Sequence, residues 1–250
     1  MHGTITSPLP EVLHRCDHCP VRHRAVCGAM DEVQIRKLGQ IAHRKKIAQG
    51  QTIISDEEPV DFFANVISGA VKLIKTLPDG RQQIVGLLFA PDFLGRAYSK
   101  NNPYTAEAAT EVEICTFSNS AFERLVGEYP GLQSRLFQHT LDELDAARDW
   151  MLLLGRKTAE EKVASFLLML ARRSLLIGCQ HTSAPGMAAF ALPLTRADIA
   201  DYLGLTIETV SRQLTRLKSG NVIRLSSNRQ IMVPDMARLT QVAGLEPGRH

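Results

Sequence analysis

Cys16, Cys19 and Cys27 place three thiols within twelve residues of an otherwise polar segment, in the pattern C-x2-C-x7-C. A loop of this kind can fold around a metal, and soft thiolates select zinc or iron–sulfur centres. His14, Arg15, His18, Arg22, His23 and Arg24 surround these thiols, and nearby positive charge favours the thiolate form that a metal requires. A full thiolate set needs a fourth sulfur from Cys115 or Cys179, unless His18 or His23 completes a tetrahedral zinc site. In the strand expected over 113–118, alternation puts Cys115 with Glu113 and Phe117 on the face away from the core. Cys179 falls in a loop expected over 178–191 and reads as a bystander thiol. Spacing alone leaves iron–sulfur and zinc both open, although zinc motifs usually bring two close pairs, which this chain lacks.

A second group of residues could read DNA. The run LPLTRADIADYLGLTIETVSRQLTRLKSG (192–220) parses as helix, tight turn, helix. Thr195 can cap the first helix, Gly204 can take the left-handed conformation that ends it, and Thr206 can cap the second. In that second helix Val210, Leu214 and Leu217 form a buried stripe, while Glu208, Ser211, Arg212 and Thr215 share the opposite face. A guanidinium at Arg212 can bind guanine O6 and N7 together, a carboxylate at Glu208 can accept from cytosine N4, and the Ser211 hydroxyl can serve a neighbouring base. Thr195, Arg196, Thr206 and Arg216 suit phosphates and would fix register. Residues 222–225 and 230–233 read as a β-hairpin wing. The charge agrees with this reading. Residues 156–250 hold 13 Lys and Arg against 7 Asp and Glu, although the whole chain is only +3.

Other elements must position these two groups. Residues 62–68, 71–76, 81–89, 105–109 and 113–118 read as short strands, with Leu77-Pro78-Asp79-Gly80 as a hairpin turn. So many strands without an intervening helical pattern favour an antiparallel barrel or sandwich. From Leu132 the period becomes helical. Phe137, Thr140, Leu144, Ala147, Met151 and Leu154 form a narrow heptad seam, which wants either a partner helix or a place on the chain's own β-domain. Gly155 marks a bend, and a second helix is expected over 159–173. The 250-residue chain is 44% hydrophobic, which excludes disorder. Its longest apolar runs fall far short of the ~20 residues that span a membrane. No secretory signal is visible at the start, so a cytoplasmic location is expected. No phosphate loop, His-Glu metal helix or nucleophile elbow is present, so no enzymatic activity is expected.

Together the cysteine-rich N-terminus, the glycine-punctuated strands, the long helix and the run Glu208-Thr209-Val210-Ser211-Arg212 resemble the FNR branch of the CRP/FNR transcription regulators. The resemblance covers nearly the whole chain, and E-x-x-S-R is characteristic of that branch. It implies an α+β chain with a cluster-binding segment at 1–30, a cyclic-nucleotide-binding-like jelly roll at 31–131, a dimerisation helix at 132–158 and a winged helix-turn-helix at 159–250. It also implies that Cys16, Cys19, Cys27 and the distant Cys115 hold an oxygen-labile 4Fe–4S cluster. The family partners are a second copy of the chain, palindromic DNA resembling TTGAT-N4-ATCAA, and RNA polymerase, for which the 77–81 hairpin is the candidate surface. Such regulators control genes of anaerobic metabolism. The gap of seven before Cys27 is longer than in the best-known members. Cyclic-nucleotide receptors of the same superfamily typically carry a glutamate after the cassette glycine and a later arginine-serine or arginine-threonine pair. Here Gly95-Arg96 and Tyr104-Thr105 stand instead, so no cyclic nucleotide is expected. The alternative is a constitutive DNA-binding regulator steadied by structural zinc.

Overall fold

The computed structural model describes residues 16, 18–56, 58–96, 99, 101–177, 186–226 and 229–246. Cys179, His14, Arg15 and the wing tip at 227–228 lie outside the described residues. The chain divides into two compact units: the part up to Lys72 with Leu87–Asp142, and Leu73–Gly86 with Glu143 onward.

The first helix of the first unit, α1 (Glu32–Ile41), starts because Asp31 accepts from the Val33 and Gln34 amides while the Gln34 side chain accepts from the Asp31 amide. Strands β1 (Ala42–Ile47), β2 (Thr52–Ile54), β3 (Phe62–Ser68), β4 (Ala70–Thr76), β5 (Gln82–Phe89), β6 (Phe93–Leu94), β7 (Thr105–Ala108) and β8 (Val112–Ser118) follow. They form two four-stranded sheets, ordered β1-β8-β3-β6 and β2-β7-β4-β5, which is the expected jelly roll. The expected 77–81 hairpin is present, with Gly80 at φ +86° and the Gly80 amide donating to the Leu77 carbonyl at 2.9 Å.

Strand β3 is buried on both faces. Ala64 and Val66 share one face with Thr116 and Ile114 of β8, while Phe63 and Asn65 share the other with Phe117 and Cys115. That second face has a core of its own. Phe63, Phe93, Phe117 and Phe122 stack there with ring centroids 5.0–5.7 Å apart. Val21, Ala25, Val26 and Cys27 cover them from the N-terminal side, with Ile35 and Leu38 of α1. The expectation that Cys115 faces away from the core therefore needs correction. It turns from one core towards another, because the cysteine segment and helices α1 and α2 (Asn119–Glu128) cover the sheet's outer face.

Helix α3 (Pro130–Arg156) is 27 residues long. It does not bend at Gly155. The break falls at Lys157 and Thr158, where Thr158 and Glu161 cap each other to start α4 (Ala159–Ile177). That helix runs past the expected end at 173.

In the second unit, α5 (Arg196–Leu203) and α6 (Ile207–Ser219) form the helix-turn-helix. Strands β9 (Ala188–Ala191), β10 (Arg224–Leu225) and β11 (Gln230–Val233) make a three-stranded wing, and α7 (Met236–Val242) is the last element among the described residues. The expectation of loop over 178–191 fails at its end: 188–191 pairs with β11, with Phe190 opposite Ile231. Among the described residues, no helix is long and apolar enough to cross a membrane.

Candidate metal centre and nucleic-acid interface

Cys16, Cys19, Cys27 and Cys115 line one cavity, together with Asn65 and Arg22 and an apolar wall that includes Ile35, Leu38 and Phe117. The first three arrive on successive turns: the Cys19 amide donates to the Cys16 carbonyl at 3.3 Å, and the Arg22 amide to the Cys19 carbonyl at 3.2 Å. A 3-10 turn at Val26–Ala29 then carries Cys27 inward. Cys115 comes from β8, paired with Asn65 of β3 on one side and Arg44 of β1 on the other. None of the four is in a disulfide.

Burial, rather than the surrounding positive charge, sets the ionisation of the two deeper sulfurs. The Cys27 thiol is pushed up to about 12, first by burial and then by the neighbouring cysteines, against a smaller opposing pull from Arg22. Cys115 is pushed up to about 12 for the same first reason, with Arg44 opposing. At Cys27 the expected pull of flanking charge is present, through Arg22, but burial outweighs it. Much of that cationic set is exposed, and water screens it. The Cys27 S–H points towards the Arg22 carbonyl at 3.8 Å. Metal binding must expel these protons, so it couples to deprotonation.

A 4Fe–4S cluster needs four thiolates, and the cavity supplies four sulfurs on an otherwise largely apolar wall. The cavity itself has a volume of about 20 Å³, room for a single water, so the thiols must spread to admit a cluster. His18 and His23 are exposed and do not line it. Among the described residues, no three His, Cys, Asp or Glu side chains are grouped to hold a single metal ion.

In the second unit, the Thr195 hydroxyl accepts from the Asp198 amide at 3.1 Å, and Gly204 adopts φ 60°, ψ 45° after α5. Thr206 accepts from the Thr209 amide at 3.2 Å. Val210, Leu214 and Leu217 are buried, whereas Glu208, Ser211, Arg212 and Thr215 are exposed on the other face. The helix N-terminus is where the Glu208 carboxyl rests. Its own amide first, and then the Thr206 hydroxyl, hold it below the usual carboxylate range. Arg212 Nη2 lies 3.4 Å from the Thr209 hydroxyl. Two of the residues expected to meet phosphate have other surroundings here. Arg216 pairs with Glu160 at 3.2 Å, and Arg196 is half-buried, with a buried Nη1 that has no hydrogen-bond partner among the described residues. Trp150 of α3 stacks on Tyr202 of α5 with ring centroids 3.9 Å apart.

Asn65 and the Glu160–Arg216 pair escaped sequence reasoning. An asparagine inside the apolar run FFANVIS was the available signal for the first. The second joins residues distant in sequence and left none.

A jelly roll followed by a helix-turn-helix with a three-stranded wing defines a DNA-binding regulator whose β-domain is built like a nucleotide receptor. The comparisons agree. The Cyclic nucleotide-binding domain model matches residues 44–129, and the Crp-like helix-turn-helix domain model matches 161–242. The transcriptional activator protein FnrL of Cereibacter sphaeroides is 47% identical, over 94% of this chain and 94% of that protein. The nitrogen fixation regulation protein FixK of Bradyrhizobium diazoefficiens is 40% identical, over 92% and 94% respectively. The structure of FixK2 from Bradyrhizobium japonicum superposes with a TM-score of 0.72 at 35% identity, covering 84% of this chain and 100% of that one. This chain belongs to the CRP/FNR family of transcription regulators, and it is a DNA-binding regulator and not an enzyme.

Proposed function

We propose that the protein is an oxygen-responsive activator that binds DNA as a homodimer when Cys16, Cys19, Cys27 and Cys115 hold a 4Fe–4S cluster. The observation that carries this reading is the convergence of four cysteines, from a terminal segment and a distant strand, on one largely apolar cavity. Zinc is the weaker alternative, because zinc motifs usually bring two close cysteine pairs, which this chain lacks. When bound, the cluster supplies oxygen lability. The chain's own residues supply the coupling. The core that buries Val21, Ala25, Val26 and Cys27 also buries Leu132 and half-buries Leu136 of α3. A shift of the cysteine segment is therefore felt at the base of that helix.

Further along α3, Phe137 is 64% exposed, Leu144 45% and Met151 69%, and Thr140 and Ala147 are also exposed. Leu154, half-buried, departs from this seam. A second α3 laid along the exposed positions would bury them as a two-stranded coil. Two helices α6 would then read half-sites about one helical turn apart, with TTGAT-N4-ATCAA as the expected palindrome. Glu208, Ser211 and Arg212 would face base edges, and Thr195, Arg196, Thr206 and Arg216 the phosphates, once Arg216 exchanges Glu160 for phosphate. The exposed 77–81 hairpin is the surface for RNA polymerase. Gly95-Arg96 and Tyr104-Thr105 leave no acid for a ribose and no arginine for a cyclic phosphate, so the signal is not a cyclic nucleotide. The setting is the cytoplasm, where the genes of anaerobic metabolism lie within reach.

Binding to a palindromic duplex, titrated at one salt concentration with anaerobic and with air-exposed protein, tests the switch. Much tighter anaerobic binding is expected, and equal affinity would overturn it.

A further inference from the structure

Asn65 lines the cysteine cavity, is only 2% exposed, and its buried Oδ1 has no hydrogen-bond partner among the described residues. A polar side chain buried this deeply and left unpaired is costly to keep, and this one stands beside the cavity. The sheet gives it a neighbour. Asn65 of β3 stands directly opposite Cys115 of β8 in the antiparallel register, so both side chains leave the same face as neighbours. Four thiolates sharing a largely apolar wall concentrate negative charge where water is scarce, and buried charge is tolerated when hydrogen bonds compensate it. Besides the cysteines, Arg22 and Asn65 are the polar side chains on that wall. An amide can turn either its oxygen or its two N–H groups towards the cavity.

We propose that Asn65 is a positioning residue of the metal centre, donating an amide N–H to sulfur, either the Cys115 thiolate or a sulfide of the bound cluster. This rests on the iron–sulfur reading above. A sulfur acceptor pairs only with an N–H, and a half-turn of the amide exchanges its oxygen and nitrogen, so the amide turns an N–H to the sulfur when the cluster is bound. The contact holds the cluster in place and does not create its ligand set.

Full-length wild type, Asn65→Leu and Asn65→Asp, loaded and kept without oxygen, would be mixed with an iron chelator and the release of iron followed by absorbance. Leucine keeps the branched skeleton and removes the donor, and aspartate keeps the shape while replacing N–H by negative charge. Both variants are expected to release iron on the order of tenfold faster than wild type. The thermal midpoint of metal-free Asn65→Leu is expected to equal or exceed that of metal-free wild type, because an unpaired buried amide has gone. Iron release from both variants at the wild-type rate would overturn the proposal and leave the iron–sulfur reading standing. Wild type that takes up no iron would overturn both.

Discussion

Arg135 of α3 reaches back to the cysteine segment: its Nη2 donates to the carbonyl of Arg24 at 3.0 Å. Arg24 lies between Cys19 and Cys27, so this bond ties the helix to the stretch of chain that must shift when the cavity widens. Leu132, one turn earlier, is buried in the same core as Cys27. Arg135→Ala should leave the fold intact, since the bond is exposed, and should weaken the link by about 0.5–1.5 kcal/mol. The ratio of anaerobic to aerobic DNA affinity is then expected to narrow by roughly 2- to 10-fold. Parallel titrations of variant and wild type measure it, and an unchanged ratio would show that the link carries no signal.

Leu144→Glu places a charge in the middle of the exposed α3 seam. Because Leu144 is 45% exposed in the single chain, the fold should tolerate the change. Two copies facing each other would bring like charges together in an apolar interface, which is strongly unfavourable. Sedimentation of the anaerobic protein should show monomer for the variant and dimer for wild type, with equal thermal midpoints for the metal-free chains. A dimeric variant would place the interface elsewhere.

Arg212→Ala should cost about 1–3 kcal/mol on the specific palindrome and relax discrimination at one base pair of each half-site. Binding to a panel of single-base variants of the site measures this. Uniform weakening on every sequence would make Arg212 a phosphate contact.

The two deeper thiols also set a pH dependence for the metal-free protein. Burial raises Cys27 and Cys115 from 9.0 to about 12, so the folded chain holds these protons more tightly than the unfolded chain. That contribution is fully present below pH 9 and is lost as pH climbs towards about 12. The urea midpoint of the metal-free protein should therefore fall above pH 9 more steeply in wild type than in Cys27→Ala. Parallel curves would mean that these thiols do not titrate as buried groups.

Much of this was legible from the chain. The helix-turn-helix follows from short-range chemistry: caps at Thr195 and Thr206 and a left-handed Gly204 are local decisions, and the structure shows all three. Strand β3 was found to the residue, since FFANVIS is apolar at five of its seven positions. The second core was not legible. Alternation in β8 assumes one wet face, whereas the cysteine segment and α1 arrive from far away in sequence to cover it. Strand β9 was missed because Ala188-Ala189-Phe190-Ala191 carries little β signal of its own and is held by pairing with β11. The cysteines were found by type and count, but only the fold brings Cys115 to the other three.

The most direct test is the iron and acid-labile sulfide content per chain, with the visible spectrum, of protein purified without oxygen and then exposed to air. Brown protein with about four iron and four sulfide that bleaches in air is the expected result. Colourless protein holding a single zinc ion, unchanged by air, would contradict it and leave a DNA-binding dimer whose signal lies elsewhere.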